Sequence, residues 1–120
     1  MLVAAIGSTA FILFITPHND SARPRHAVGG HLIALGVGAT FGLGMSSQTE
    51  LHHGVTAALA VGITMFLMAV TDTEHAPAAG TAMAVSIQGF TWELAVLLIV
   101  SVLFLVILHQ ILRGRLRNLT

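Results

Sequence analysis

Two short apolar stretches of the chain each begin with a glycine and a hydroxyl residue. Gly7-Ser8-Thr9 opens the first stretch, and Gly80-Thr81 opens the second. Serine and threonine cap helix N-termini, whose free N–H groups together carry about half a positive charge. Two such helix starts converging in a dry interior could hold an anion without a fully charged side chain. We therefore interpret Gly7, Ser8, Thr9, Gly80 and Thr81 as candidate substrate-binding residues.

Two histidines lie inside or beside the apolar segments. His31 falls about one turn into the second segment, and His75 stands in the break before the second short stretch, near Asp72 and Glu74. Ionisable residues at membrane depth are costly and usually face a cavity. We add both histidines to the substrate-binding candidates, because an imidazole could neutralise an anion or carry a proton with it. A purely structural role for His31 stays equally open.

Other kinds of chemistry find little support in the sequence. The chain has no cysteine, which excludes disulfides, thiolate metal sites and cysteine nucleophiles. We expect no catalytic residues, no cofactor and no resident metal, because no nucleophile–base pair, cofactor motif or His-x₃-His pair occurs. One alternative stays open, a proton or divalent-metal pathway through His31, His75, Asp72 and Glu74.

The composition is that of a membrane protein. Hydrophobic residues make up 55% of the 120 residues and charged residues 8%, with a mean hydropathy of +0.88, whereas soluble domains carry about 25% charged residues. The formal net charge is zero, which argues against nucleic-acid binding. We expect an integral protein of the cell (inner) membrane whose partners are the lipid bilayer, a small anion and further copies of itself.

Five apolar segments fill this single domain, and their lengths fall into two classes. A helix needs about 20 residues to cross a bilayer, so two segments are half-helices and three are spans. The half-helices are residues 2–16 and 78–90, and the spans are residues 27–45, 54–71 and 91–112. We predict an all-α polytopic fold with four to five membrane segments. A half-helix followed by a span, occurring twice, suggests an inverted repeat, which in transporters surrounds a midplane site.

Arginine placement predicts the orientation. Arg23 and Arg25 lie in the loop 17–26, and the other three arginines lie in the C-terminal tail. Positively charged loops stay in the cytoplasm, so this loop and the C-terminus are predicted to be cytoplasmic and the loop 46–53 external.

The second span has a face built for close helix packing. Gly30, Ala34, Gly38 and Gly42 recur every four residues, so they share one side of a helix. Small residues at this spacing let two helix backbones approach closely in lipid.

Several motifs together resemble the HPP family of integral membrane proteins. The matching stretches are Gly-Ser-Thr-Ala at 7–10, Thr-Pro at 16–17 and Arg-Pro-Arg-His-Ala-Val-Gly-Gly-His-Leu at 23–32. The family's naming motif, His-Pro-Pro-Gly-Gly-Ala-Thr-Ala, resembles His-Ala-Pro-Ala-Ala-Gly-Thr-Ala at 75–82. The sequence departs from the family pattern at three places. Ala76 replaces the first proline of the naming motif, and Ala-Ala-Gly-Thr at 78–81 replaces Gly-Gly-Ala-Thr. Arg23 and His26 replace the Gln and Asn that flank Pro-Arg in the family. Family members usually have one more helix before the first of these motifs, and this chain starts at the first half-helix. We expect a minimal member, a truncated one, or one whose partner chain supplies that helix.

What the resemblance implies is nitrite transport, the activity assigned to family members of photosynthetic lineages. The residues alone lead to a transporter or channel for a small inorganic anion, with a midplane site at the two half-helix N-termini. The alternatives are a non-transporting assembly or regulatory subunit and the proton or metal pathway.

Overall fold

The computed structural model describes residues 1–43 and 49–119, and within them every regular element is a helix. The predicted all-α fold is confirmed. The five α-helices are α1 (Leu2–Ile15), α2 (Pro24–Leu43), α3 (Glu50–Thr71), α4 (Ala76–Gln88) and α5 (Trp92–Leu112), with single 3₁₀ turns at Asp20–Ala22 and Arg113–Arg115.

Three of these helices are long and apolar enough to cross a membrane: α2, α3, and α5 with the turn after it. The short helices α1 and α4 have 14 and 13 residues, which at about 1.5 Å per residue give lengths of about 20 Å. Large apolar side chains cover the outside of the bundle, as Phe66 and Phe104 do on α3 and α5. Such a surface is suited to contact with lipid.

Three helices begin earlier in the chain than the sequence analysis predicted. α2 begins at Pro24 rather than at residue 27, since proline is well tolerated in a helical first turn. α3 begins at Glu50 rather than 54, because the Thr49 side chain accepts a hydrogen bond from the His52 N–H at 3.2 Å. α4 begins at Ala76 with Pro77 in its first turn. The predicted end of the second span at residue 45, and most of the predicted loop 46–53, lie outside the described residues.

The glycine face of α2 packs directly on α4, as its spacing predicts. A Cβ atom added at Gly38 would lie 2.8 Å from Val85 Cβ, and one at Gly42 would lie 2.9 Å from the Val85 carbonyl oxygen. A Cβ at Gly30 would lie 3.0 Å from His75 Cβ. α4 therefore runs parallel to α2 and begins beside Gly30, six residues or about 9 Å along α2 from Pro24.

One face of the bundle gathers the loop 17–26 and the C-terminal tail. The His18 N–H donates to Asn118 Oδ1 at 3.0 Å, and the Leu119 N–H donates to the Ile15 carbonyl at 2.9 Å. Arg25 Nη2 donates to the Thr71 carbonyl at 2.7 Å, which ties the last turn of α3 to the same face. The loop and the tail thus lie on one side, as the arginine distribution predicts.

Candidate functional site

Three helices bring four of the predicted side chains into one buried cluster. Thr9 Oγ1 on α1 lies 2.9 Å from His31 Nε2 on α2 and 3.1 Å from His75 Nε2 at the N-terminus of α4. His31 Nδ1 lies 2.9 Å from Thr81 Oγ1 on α4. Thr9, His75 and Thr81 have no exposed surface, and His31 is 3% exposed. We call these four residues the Thr–His cluster.

The glycine face of α2 positions the two imidazoles. His75 can approach α2 closely because Gly30 has no side chain, and His31 is the next residue along. The two rings meet edge to face, with centroids 5.2 Å apart and planes at 63°. A packing motif visible in the sequence therefore also sets the geometry of the polar cluster.

Ser21, in the 3₁₀ turn between α1 and α2, anchors the outer end of the cluster. The Ser21 carbonyl oxygen lies 2.8 Å from His75 Nδ1, and the Ser21 hydroxyl lies 3.3 Å from the same nitrogen. A carbonyl oxygen only accepts hydrogen bonds, so His75 Nδ1–H donates to it. Ser21 was not predicted as a site residue, because a serine in a polar loop gives no signal of its own in a single sequence.

This anchor fixes the direction of the remaining hydrogen bonds when both histidines are neutral. A neutral imidazole with a proton on Nδ1 accepts at Nε2, so the Thr9 hydroxyl donates to His75 Nε2. Thr9 then accepts from His31 Nε2–H, and the Thr81 hydroxyl donates to His31 Nδ1. All four hydrogen bonds point from Thr81 towards Ser21.

Within residues 1–43 and 49–119, the cluster has no acidic partner. The ion pairs in this part of the chain join Arg23 to Asp20 at 2.8 Å and His26 to Glu74 at 3.9 Å. Neither His31 nor His75 forms an ion pair with a described carboxylate. The cluster is therefore built from hydroxyl and imidazole groups.

The remaining predicted site residues lie outside the Thr–His cluster. Gly7 and Ser8 are exposed on the outer side of α1, where the Ser8 hydroxyl donates to the Ala5 carbonyl at 3.1 Å. Gly80 packs on Ala5, and a Cβ there would lie 3.5 Å from Ala5 Cβ. Ser8 and Gly80 both line an open, mainly apolar groove of about 590 Å³ between α1 and α4.

The predicted convergence of two helix N-termini is wrong. Thr9 meets His75 while Ala5 meets Gly80, so α1 and α4 are antiparallel neighbours. The start of α1 therefore points away from the start of α4. Thr9 lies in the middle of α1 and Thr81 in the second turn of α4, and their hydroxyls do not cap these helices.

Asp72 and Glu74 join a different histidine from the one the sequence suggested. Both carboxylates are exposed, and each offers a ligand atom within 4.8 Å of one on buried His26. His26 Nδ1–H donates to the Glu74 carbonyl at 3.0 Å. The described ion pair of Glu74 is with His26 and not with His31 or His75, so the structure does not join His31, His75, Asp72 and Glu74 in one cluster.

A fourth buried histidine joins α5 to the loop after α1. His109 Nε2–H on α5 donates to the Pro17 carbonyl at 3.1 Å, and its ring contacts Phe14 edge to face. Its position one turn before the end of an apolar span gave no sign of this contact with the loop.

Comparisons with known proteins place the chain among membrane proteins. It is 30% identical over 83 residues to a protein of Dictyostelium discoideum described as a transmembrane protein. The match covers 69% of this chain and 29% of the relative, so the chain spans less than a third of that protein's length. No solved structure matches significantly. The model of the HPP transmembrane region matches residues 1–118, and the chain therefore belongs to the HPP family of membrane proteins.

Proposed function

We propose that the chain carries a small inorganic anion across the membrane and that the anion binds at the Thr–His cluster. The observation that carries this proposal is the burial of two hydroxyls and two imidazoles among three helices, with no acidic side chain paired to them. Polar groups buried in a membrane are expensive and usually serve a function. Nitrite is the first candidate because of the family resemblance.

The chemistry of the cluster suits an anion that must both enter and leave. An anion in a dry site needs several hydrogen-bond donors to replace its water. Thr9, Thr81 and the imidazole N–H groups supply them, while all five arginines lie at the loop and the tail. A site without a permanent positive charge holds the anion weakly enough to release it. In this structure the polar groups of the cluster are paired with one another and with the Ser21 carbonyl, so an entering anion has to replace some of these hydrogen bonds.

The test is anion flux into liposomes that contain the purified chain. We expect uptake of nitrite above protein-free vesicles, with nitrate, formate and chloride measured alongside to define selectivity. Thr81→Val keeps the shape of the side chain and removes its hydroxyl, whose hydrogen bond contributes about 1–1.5 kcal/mol. Uptake should fall about tenfold in Thr81→Val and stay near the parent in Thr81→Ser.

Two results would contradict this proposal. Equal uptake by Thr81→Val and the parent would remove Thr81 from the path. Absence of uptake of all four anions would favour the alternative of a non-transporting assembly or regulatory subunit.

We further propose that the face with the loop 17–26 and the tail is cytoplasmic in the cell membrane, since that face holds all five arginines. Single cysteines at the exposed positions Asn19 and Gly114 should react with an impermeant thiol reagent only from the cytoplasmic side. Labelling of either from outside would reject this orientation. Association of identical chains also stays a prediction, which crosslinking in the membrane would test.

A further inference from the structure

We propose that His75 takes up a proton together with the anion, so that transport is coupled to protons and Thr9 acts as the switch that admits the proton. This inference rests on the proposed anion transport and names its coupling ion. It is carried by the three contacts of Thr9 Oγ1.

The Thr9 hydroxyl has two acceptors for its single proton. One is His75 Nε2 at 3.1 Å, and the other is the Ala5 carbonyl oxygen at 2.9 Å, one helical turn earlier in α1. When His75 is neutral, the hydroxyl must donate to Nε2, because Nδ1–H of the ring already donates to the Ser21 carbonyl. The Ala5 carbonyl, which also accepts from the Ser8 hydroxyl, is then a second acceptor within reach of Thr9.

Protonation of His75 requires only that this hydroxyl rotate. The imidazolium donates from both nitrogens, so Nδ1–H keeps its bond to Ser21 and the new Nε2–H donates to Thr9 Oγ1. The Thr9 hydroxyl turns to the Ala5 carbonyl, while its oxygen still accepts from His31 Nε2–H. One proton is taken up, the net charge of the cluster rises by one, and every hydrogen-bonding group stays paired.

The charge balance then couples the proton to the anion. Among the described residues, the His31 ring contacts the His75 ring, and His26 is close enough to His75 to act on its charge. Asp72 and Glu74, in the link before α4, have exposed side chains, and the described ion pair of Glu74 is with His26. Asp20, beside Ser21, pairs with Arg23. A buried cation without a counter-charge is unfavourable, so the bound anion must supply that charge, and each stabilises the other.

The first experiment measures proton and anion movement in the same liposomes. Nitrite uptake by the parent chain should acidify the vesicle lumen by about one proton per anion and should develop no membrane potential. Protein-free vesicles correct for nitrous acid that crosses the lipid, and nitrate serves as a second probe without that leak. The rate should rise about tenfold per pH unit of external acidification while His75 is mostly neutral, because it follows the proton concentration.

Variants of His75 and Thr9 test whether these two residues carry the proton coupling, and control variants test for a general loss of folding or activity. His75→Gln retains polar groups but cannot be protonated, so its residual uptake should lose the pH dependence and become electrogenic. Thr9→Val should show the same change, and Thr9→Ser, which keeps the hydroxyl, should behave as the parent. His52→Gln, which replaces a histidine at the start of α3, controls for loss of a histidine as such.

The second measurement does not depend on transport. In detergent, ¹⁵N spectra of histidine-labelled protein should show neutral His75 with its proton on Nδ1, and conversion to imidazolium on addition of nitrite. The His75→Gln spectrum assigns the signals.

The outcomes distinguish the two proposals. Electrogenic, pH-independent uptake by the parent, or a His75 that stays neutral at saturating nitrite, would overturn the proton coupling and leave anion transport standing. Absence of both uptake and any nitrite-induced change at His75 would overturn anion transport and the coupling with it.

Discussion

The two short helices contain similar glycine–hydroxyl motifs but occupy unlike environments. α4 lies against α1, α2 and α3, and seven of its 13 residues are buried, whereas α1 buries four of 14. Gly80 packs on Ala5, while nothing lies within 4 Å of a Cβ added at Gly7. Thr81 has one partner in the cluster, and Thr9 has hydrogen-bond contacts with three residues.

The difference shows that a shared motif does not give two helices the same role. α4 packs against the glycines of α2, and this contact places His75 and Thr81 beside α2. α1 contributes one central hydroxyl to the cluster and otherwise presents apolar residues such as Val3 and Phe11 to the outside. Substitutions in matched pairs can test this contrast.

The largest effect is expected where α2 holds α4. Gly38→Leu would force a side chain into Val85 and the Ala82 carbonyl, 2.8 and 3.0 Å from the new Cβ, at a cost of about 3 kcal/mol or more. Gly36→Leu meets nothing within 4 Å and should be tolerated. The measurement is the yield of monodisperse protein in detergent, and equal losses in both variants would mean that the α2–α4 contact is not decisive.

The next largest effect is expected from a negative charge in α4, which should abolish transport without preventing folding. Thr81→Asp places a carboxylate against His31, where the anion is proposed to bind, and should abolish nitrite uptake in liposomes. A variant that folds should elute in detergent at the same volume as the parent chain in size-exclusion chromatography. Uptake at the parent rate would exclude Thr81 from the anion path.

Neighbouring hydroxyls on α1 should differ clearly in their effect on stability. Thr9→Val leaves His31 and His75 without a shared partner and should cost about 2–3 kcal/mol. Ser8→Ala, which removes only a local bond to Ala5, should cost less than about 0.5 kcal/mol. Unfolding in mixed micelles measures both, and similar values would show that the cluster adds nothing to stability.

The smallest difference is expected between the two motif glycines. Gly80→Ala adds a methyl group in ordinary contact with Ala5 Cβ, and Gly7→Ala adds one in open space. Both should stabilise their helices by about 1 kcal/mol through helix propensity. A loss of stability confined to Gly80→Ala would mean that α1 and α4 pack more tightly than the 3.5 Å separation indicates.

Much of the fold was accessible from the sequence. Apolar runs of about 20 residues specify membrane helices because hydrocarbon forces backbone groups to bond within the segment. The spacing of Gly30, Ala34, Gly38 and Gly42 predicted a close helix contact on α2, and the structure shows that the partner is α4. Four of the seven predicted site residues, Thr9, His31, His75 and Thr81, lie together and buried in the structure. Their role in binding a solute stays a prediction.

The relation between helices required the tertiary structure. Helix direction, neighbour and rotation depend on contacts between distant residues, which periodicity within one segment does not encode. The sequence by itself determined a helical membrane protein with a close-packing face on α2 and polar side chains at depth. Only the tertiary structure decided that α1 and α4 run antiparallel, that Ser21 closes the cluster, and that Asp72 and Glu74 lie beside His26, because each depends on side chains that meet across helices.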